Sequence, residues 1–369
     1  MVQAQRKIHV VFDMTFPLRL KTGTRVYADQ LLSALAESDS YRVTCVAERQ
    51  PVRRSGFWRI WNGIRNLLWI QLVLPIKLLI LRADLLHAPS YFAPVLCPCP
   101  LVLTVFDVLY LTQPLQDSSK LFGLYARFST RAAIRRAKMI CTVSNVSRDE
   151  IVSLYGVSAD RVRVTYPGVG PLYRPQSDAR IEHFRKKYGL PRPYFLFVGE
   201  WAPRKNLPRL IEAFGILLKE KVIEHELILI GPKRTGAFDV DQILQDLEIA
   251  RRVRCLGFVD DEDMASAYSA ADAFVFPSLG EGFGIPLIEA MACGTPVVAS
   301  NVSCIPEVAG DAAVFFNPED AADIARAMKL VLQPDLRATL KDKGLERAKH
   351  FTWQNTAAET EAAYRDALR

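Results

Sequence analysis

Two glutamates, Glu281 and Glu289, stand eight positions apart in the C-terminal third of the chain. A glycine-rich turn at residues 280–284 reads GEGFG, so its backbone can adopt positive φ angles and approach a ligand closely. An ionised carboxylate only accepts hydrogen bonds, which suits a partner that is rich in hydroxyl groups. The pair therefore predicts a site for a ribose or a hexose.

Arg204 and Lys205 form a second candidate group. They follow the apolar run YFLFV at residues 194–198 and precede a predicted helix over residues 207–218. The arginine offers a planar fork of donors and the lysine a point charge, so that side by side they can neutralise a diphosphate. An ordinary structural pair of cations is the alternative.

Both groups lie in units that run from strand to loop to helix. The apolar run at residues 273–276 leads into the GEGFG turn, and Pro286 suits the first position of the next helix. A helix start presents unpaired N–H groups and a partial positive charge, which favour a phosphate. Open α/β sheets bind their ligands at the carboxyl ends of their strands. The sequence therefore predicts an α/β protein whose ligand lies at such strand ends.

Two long strings carry a resemblance to a known family. Residues 274–300 read FVFPSLGEGFGIPLIEAMACGTPVVAS, and residues 198–214 read VGEWAPRKNLPRLIEAF. Both resemble the signatures of glycosyltransferase family 4, which are retaining nucleotide-sugar glycosyltransferases of the GT-B fold. A plain βαβ unit with surface glutamates is the alternative, but a whole string in register argues against it. The resemblance implies two Rossmann-like domains that face each other across a cleft.

The resemblance also implies roles for individual residues. Glu289 would bind the ribose and Glu281 the transferred sugar, while the main chain near residues 258–259 would border the base. The implied catalytic residues are Arg204, Lys205, Glu281 and Asp107. The implied donor-binding residues are Gly23, Gly199, Phe258, Val259, Gly282, Phe283, Gly284, Ile285, Leu287 and Glu289.

The sequence departs from the family pattern at two places in its first half. Members commonly carry His-Asp where this chain has Phe106 and Asp107, so Asp107 and His87 are the remaining polar candidates there. The family's double glycine near the first helix is reduced to Gly23, with Thr22 in the other place. A simple turn glycine is the alternative for Gly23.

Length and composition set the domain organisation. A chain of 369 residues exceeds a typical single domain, and half of it is hydrophobic. We expect an N-terminal acceptor domain over residues 1–175 and a nucleotide-sugar domain over residues 190–350. A final helix over residues 351–369 would cross back to the first domain, as the resemblance implies. The net charge of +7 favours an anionic partner such as a phosphate-bearing substrate or a membrane surface.

Metal binding and secretion find little support in the sequence. The seven cysteines are scattered, and no Cys or His pair has zinc spacing. The acidic run at residues 260–263 begins a predicted helix, where the helix dipole favours acids, so it is interpreted as a cap. The N-terminus shows no signal-peptide core, and no uninterrupted apolar run reaches about 18 residues. A cytoplasmic location, with neither metal nor cofactor, is expected.

Residues 51–83 carry six cations and three tryptophans but no acidic residue. A basic segment with tryptophans suits the interface of an anionic bilayer, which would place the enzyme at the inner face of the cytoplasmic membrane. A core helix packed on the sheet, with its arginines solvated, is the equally weighted alternative.

Together these patterns predict a metal-independent hexosyltransferase that uses a nucleotide diphospho-sugar as its donor. Mannose is the leading sugar, and the acceptor would be a glycan or a lipid-linked glycan in cell-surface polysaccharide or glycolipid synthesis. No nucleic-acid partner is expected. A nucleotide-sugar epimerase on the same fold, or a sugar-nucleotide-binding protein without activity, are the alternatives.

Overall fold

The computed structural model describes residues 6–19, 23–48, 57–108, 120–233 and 238–369. The chain divides into two compact units. The first unit runs to Gly168 and also includes Trp353–Arg369, while the second unit is Val169–Thr352. Residues 169–175, which the sequence analysis assigns to the first domain, thus lie with the second unit.

The first unit is built on a six-stranded parallel sheet of order β2-β1-β3-β4-β5-β6. Most strand residues are buried, which explains their runs of Val, Ile and Leu, because helices cover both faces of a parallel sheet. The strands are β1 (Ile8–Asp13), β2 (Tyr41–Val46), β3 (Leu85–Ala88), β4 (Leu101–Val105), β5 (Met139–Thr142) and β6 (Val162–Val164). The helices are α1 (Gly23–Leu35), α2 (Phe57–Leu68), α3 (Leu74–Leu81), α4 (Lys120–Arg136) and α5 (Asn145–Tyr155), with a π-helical turn at Trp69–Val73.

The second unit repeats this plan with a parallel sheet of order β12-β11-β10-β7-β8-β9. Its strands are β7 (Tyr194–Val198), β8 (Glu226–Ile230), β9 (Val253–Gly257), β10 (Ala273–Phe276), β11 (Val297–Ser300) and β12 (Ala313–Phe316). Its helices are α6 (Asp178–Tyr188), α7 (Leu207–Lys219), α8 (Val240–Asp246), α9 (Asp261–Ser269), α10 (Ile285–Ala292), α11 (Ile305–Ala309), α12 (Ala321–Leu330) and α13 (Pro334–Ala348). The expected α/β class with two Rossmann-like units is confirmed.

The C-terminal helix, Trp353–Leu368, returns to the first unit and packs on its sheet. The buried Tyr364 hydroxyl lies 2.6 Å from Nδ1 of His87, and Nε2 of His87 lies 2.8 Å from the Thr104 hydroxyl. Burial lowers the pKa of His87 to about 3, so its ring is neutral at physiological pH. His87, a polar candidate in the sequence, is therefore committed to holding this helix in place.

Replacing Tyr364 with phenylalanine should destabilise the first unit. The change leaves the buried Nδ1 of His87 without this partner, which costs about 1–3 kcal/mol of unfolding free energy. Tyr41→Phe is the matched control, because the Tyr41 hydroxyl makes a longer bond of 3.3 Å to the Glu361 carbonyl on the same helix. Urea unfolding should show a larger loss of unfolding free energy for Tyr364→Phe than for Tyr41→Phe. Equal losses in the two variants would contradict a special role of the His87 contact.

Candidate functional site

A glycine marks the carboxyl end of three neighbouring strands of the second unit. Gly199 follows β7, Gly231 follows β8, and Gly257 is the last residue of β9. Gly231 has φ +132°, and a Cβ there would overlap the carbonyl oxygen of Gly199. Gly199 has φ +156°, and a Cβ there would meet the Lys205 side chain at 3.5 Å. Gly231 therefore lets the ends of β7 and β8 approach closely, while Gly199 packs against the Lys205 side chain.

Arg204 and Lys205 lie in a short 3₁₀ turn, Pro203–Lys205, between β7 and α7. The lysine side chain is only 8% exposed, and its Nζ lies 4.9 Å from the ring centroid of Phe276, a cation–π contact. The Asn206 side chain donates to the Pro318 carbonyl at 2.7 Å. This bond holds in place the residue that joins the turn to α7.

Glu281 joins the two cations into one buried ion cluster. Its Oε1 lies 2.6 Å from Lys205 Nζ, and its Oε2 lies 2.5 Å from Arg204 Nη1. Burial opposes ionisation of Glu281, but the charges of Lys205 and Arg204 outweigh it and hold the pKa of the carboxyl group below its ordinary value. The cluster thus carries a carboxylate and two cations at neutral pH.

The turn that bears Glu281 is anchored by residues that the sequence analysis missed. The Ser303 hydroxyl donates to the Glu281 carbonyl at 2.8 Å and accepts from its backbone N–H at 3.3 Å. The thiol of Cys304, which is fully buried, donates to the same carbonyl at 3.1 Å. Their position just after β11 was an available signal, because carboxyl ends of parallel strands meet at one edge of the sheet.

The residues after the turn contribute mainly through their backbone and packing. Gly284 has φ +97° and lies against the ring of Phe276. Phe283 is buried and meets the ring of Phe351 edge to face, with 5.4 Å between centroids. Leu287 is fully buried and its N–H donates to the Gly284 carbonyl at 2.9 Å, so its amide is used within the first helical turn.

The other implied donor-binding residues occupy different environments. Phe258 follows β9 with 81% of its surface exposed, whereas Val259 is buried. Gly282 is buried in the turn, and Ile285 begins α10. Glu289 lies one turn further along α10, where its carboxylate accepts from the Tyr268 hydroxyl at 3.0 Å.

Gly23 and Asp107 belong to the first unit. Gly23 begins α1, while Lys21 and Thr22 before it lie outside the described residues. The Tyr91 hydroxyl donates to Asp107 at 3.4 Å, and Phe106 packs edge to face on Tyr27. Phe106, which replaces the family's histidine, thus serves as a packing residue.

Two carboxylates of the acidic run after β9 pair with a lysine from α6. Lys187 lies 3.2 Å from Asp260 and 2.6 Å from Asp263, and both carboxylates stand at the start of α9. Within the described part of the chain, no group of three or more His, Cys, Asp or Glu side chains is arranged to hold a metal ion.

Comparison with known proteins agrees with this geometry. Residues 180–347 match the family model "Glycosyl transferases group 1", and residues 22–171 match "Glycosyltransferase Family 4". The chain is 37% identical to O-antigen chain mannosyltransferase B of Escherichia coli over 76% of this chain and 73% of that protein. It is 32% identical to the serotype-specific mannosyltransferase WbdA of Escherichia coli over 61% of this chain, but it spans only 28% of that longer protein.

Solved structures show the same fold at low sequence identity. Sucrose-phosphate synthase from Thermosynechococcus elongatus superposes with a TM-score of 0.77 at 22% identity, covering 97% of this chain and 98% of that one. Alr3699/HepE of Anabaena, solved in complex with UDP and glucose, has a TM-score of 0.74 at 21% identity, covering 96% and 99%.

Lys205→Ala should destabilise the second unit more than Arg204→Ala. Lys205 is almost fully buried beside Glu281, and loss of one partner of a buried ion pair typically costs about 3–5 kcal/mol of unfolding free energy. Arg204 is 36% exposed, so water replaces part of its contact. Urea unfolding at neutral pH measures both losses.

The loss of unfolding free energy caused by Lys205→Ala should shrink at acidic pH, because protonation of Glu281 removes the carboxylate charge that has lost one of its two cationic partners. The double variant Lys205→Ala/Glu281→Gln should recover part of the loss at neutral pH. Equal losses of unfolding free energy for Lys205→Ala and Arg204→Ala, independent of pH, would contradict a buried cluster centred on Glu281.

Proposed function

Because the chain belongs to glycosyltransferase family 4, we propose that it transfers mannose from a nucleotide diphospho-sugar to a glycan or lipid-linked acceptor, with retention of configuration. The observation that carries this proposal is the buried cluster of Arg204, Lys205 and Glu281 at the carboxyl ends of β7 and β10. Two relatives named as mannosyltransferases, one of them for the O-antigen chain, support mannose as the sugar and a cell-surface polysaccharide as the product.

The cluster fits the charge that develops when a glycosyl–phosphate bond breaks. The sugar ring gains positive charge and the leaving diphosphate gains negative charge. Two cations and one carboxylate give the cluster a net charge of +1, and Glu281 holds both cations in place before the donor arrives. Preorganised charges of this kind need no rearrangement during the reaction, which is why they stabilise the transition state efficiently.

Glu281 has a second function in this proposal. A carboxylate offers about four lone-pair sites, and the two cations do not exhaust them. Its remaining lone pairs can accept from a hydroxyl of the transferred sugar, and the low pKa of Glu281 keeps it ionised for this task. One carboxylate would therefore connect the position of the sugar to that of the leaving group.

The alternative functions have less support. A nucleotide-sugar epimerase would fit the same fold, but the relatives are named as transferases. A binding protein without activity would not require the buried cluster of charges. Incubation with the donor alone separates the two enzyme classes, because only an epimerase interconverts the sugar without an acceptor.

Arg204→Ala should lower kcat by about 10²–10³-fold with a smaller change in KM, because the guanidinium stabilises charge that forms only in the transition state. The rate of GDP or UDP release is measured with GDP-mannose and UDP-sugars as donors and a cell-envelope glycan fraction as acceptor. Arg251→Ala is the control, because Arg251 is exposed just before β9, at the opposite end of the strand. A rise in KM at unchanged kcat would show uniform binding and contradict this role.

A surface of the first unit supports a location at the membrane. The α2 helix, the π-helical turn and α3 form one continuous helical run, Phe57–Leu81. Its inner side places Leu74 and Leu78 in the core of the first unit. Its outer side exposes large apolar residues: Trp61, Ile64, Leu67, Leu68, Leu72, Val73, Ile76, Leu79 and Ile80. We call these residues the outer apolar face.

This helical run has a buried side and an exposed apolar side, which fits both interpretations that the sequence left open, a core helix and an interfacial segment. Among the described residues, Trp61–Leu81 is long and apolar enough to cross a membrane by length and composition. Its apolar run is interrupted by polar and charged residues such as Arg65, Gln71 and Lys77, as the sequence analysis states. Burial of Leu74 and Leu78 in the core favours a helix that lies along the bilayer surface. We therefore propose peripheral binding to the inner face of the cytoplasmic membrane, where anionic lipids attract the cations of residues 51–83.

Vesicle flotation tests this location. The protein should float with anionic phospholipid vesicles at about 0.1 M salt and less at about 1 M, where the Debye length falls from about 10 Å to about 3 Å. Leu79→Glu/Ile80→Glu should reduce flotation at both salt levels, because each residue is largely exposed on the outer apolar face. Leu154→Glu, exposed on α5, is the matched control. A wild-type protein that stays unbound at low salt would overturn the proposal.

A further inference from the structure

The Glu289 carboxylate is held by two tyrosines from different parts of the second unit. The Tyr268 hydroxyl, on α9, donates to Oε2 of Glu289 at 3.0 Å, and the side chain is fully buried. The Tyr173 hydroxyl hydrogen-bonds to the same carboxyl group. The two rings meet edge to face with 6.0 Å between centroids. The tyrosines therefore form one rigid support for the carboxylate.

Tyr173 lies in the connecting segment, residues 169–177, which follows the last residue of the first unit's main stretch, Gly168. The segment is itself fixed to the helices beside Glu289. The Gln176 N–H donates to the Ser269 hydroxyl at 3.2 Å, and that hydroxyl donates to the Cys293 carbonyl at 3.3 Å, just after α10. The connecting segment and Glu289 thus share one packed assembly.

The surroundings of Glu289 place its ionisation near neutrality. Burial and, to a smaller extent, the charge of Asp261 at the start of α9 raise the pKa of Glu289, the tyrosine hydrogen bonds lower it, and the net pKa is about 7. Burial also raises the pKa of the nearby Cys293 thiol to about 12 and raises the pKa of both tyrosines. These neighbours stay neutral around pH 7, while the charge of Glu289 depends on its hydrogen bonds.

We propose that Tyr268 and Tyr173 are positioning residues that orient Glu289 to accept the ribose hydroxyls of the donor nucleotide. This inference rests on the proposed function and on the ribose-binding role that the family resemblance implies for Glu289. A carboxylate has about four lone-pair sites, so two tyrosine donors leave two sites for the 2′ and 3′ hydroxyls. Through Tyr173, nucleotide binding is also linked to the connecting segment. Their hydrogen bonds orient the Glu289 carboxylate and also favour its ionised form.

The pH dependence of nucleotide binding tests the inference. Calorimetry with GDP and with UDP, between about pH 5.5 and 8.5, should show affinity rising several-fold as pH increases through about 7, because the ionised Glu289 accepts two hydrogen bonds. Tyr268→Phe and Tyr173→Phe each remove a donor to the carboxylate, so each should move the midpoint to higher pH. Each should also weaken binding several-fold at pH 7.5.

Control variants separate this effect from titration of the ligand. The terminal phosphate of the nucleotide has its own pKa near 6, and Glu289→Gln should retain only that dependence. In the Glu289→Gln background, the tyrosine substitutions should no longer change the pH profile. Tyr188→Phe should leave the wild-type profile unchanged, because the Tyr188 hydroxyl donates to Asp263 instead. Tyr173 is partly exposed, so Tyr173→Phe keeps the test valid where Tyr268→Phe impairs folding.

Each outcome identifies the statement that fails. Nucleotide affinity unchanged by Glu289→Gln would overturn the ribose site alone. A wild-type protein that binds neither GDP nor UDP would overturn the proposed function as well. Weaker binding by Glu289→Gln together with an unmoved midpoint in both tyrosine variants would overturn only the positioning role. A midpoint shift that persists in the Glu289→Gln background would show that the tyrosines act through another group.

Discussion

The ion cluster of Arg204, Lys205 and Glu281 is the interaction on which the site depends. A buried carboxylate is stable only with a compensating charge, and a buried lysine has the same requirement. Each therefore fixes the other, with 2.6 Å between Lys205 Nζ and Glu281 Oε1. The Phe276 ring contacts Lys205, and the Ser303 hydroxyl bonds the backbone of Glu281, so both hold parts of this cluster.

The two glutamates that define the sequence motif have opposite electrostatic environments. Cations beside Glu281 keep it ionised, whereas burial raises the pKa of Glu289 to about 7 despite the hydrogen bonds from two tyrosines, which lower it. Paired carboxylates with different environments commonly have different tasks. In the proposed function, Glu281 connects the sugar to the leaving group, and Glu289 binds the ribose with a strength that depends on pH.

The two units share a plan but differ in what their strand ends carry. The second unit places charged and glycine residues at the ends of β7 and β10. In the first unit, His87 is committed to the C-terminal helix, and Phe106 packs on Tyr27. The first unit instead offers the outer apolar face, a surface suited to a lipid or lipid-linked partner.

The sequence by itself determined the two parallel sheets, the glycine turns and the family, because apolar runs, turn residues and motif strings are local patterns. Only the tertiary structure decided which residues meet. Arg204 and Glu281 are far apart in the chain, yet they touch because β7 lies beside β10 in the sheet. Likewise, the burial of His87, the anchors Ser303 and Cys304, and the tyrosines on Glu289 depend on strand order and helix packing, which no local pattern encodes.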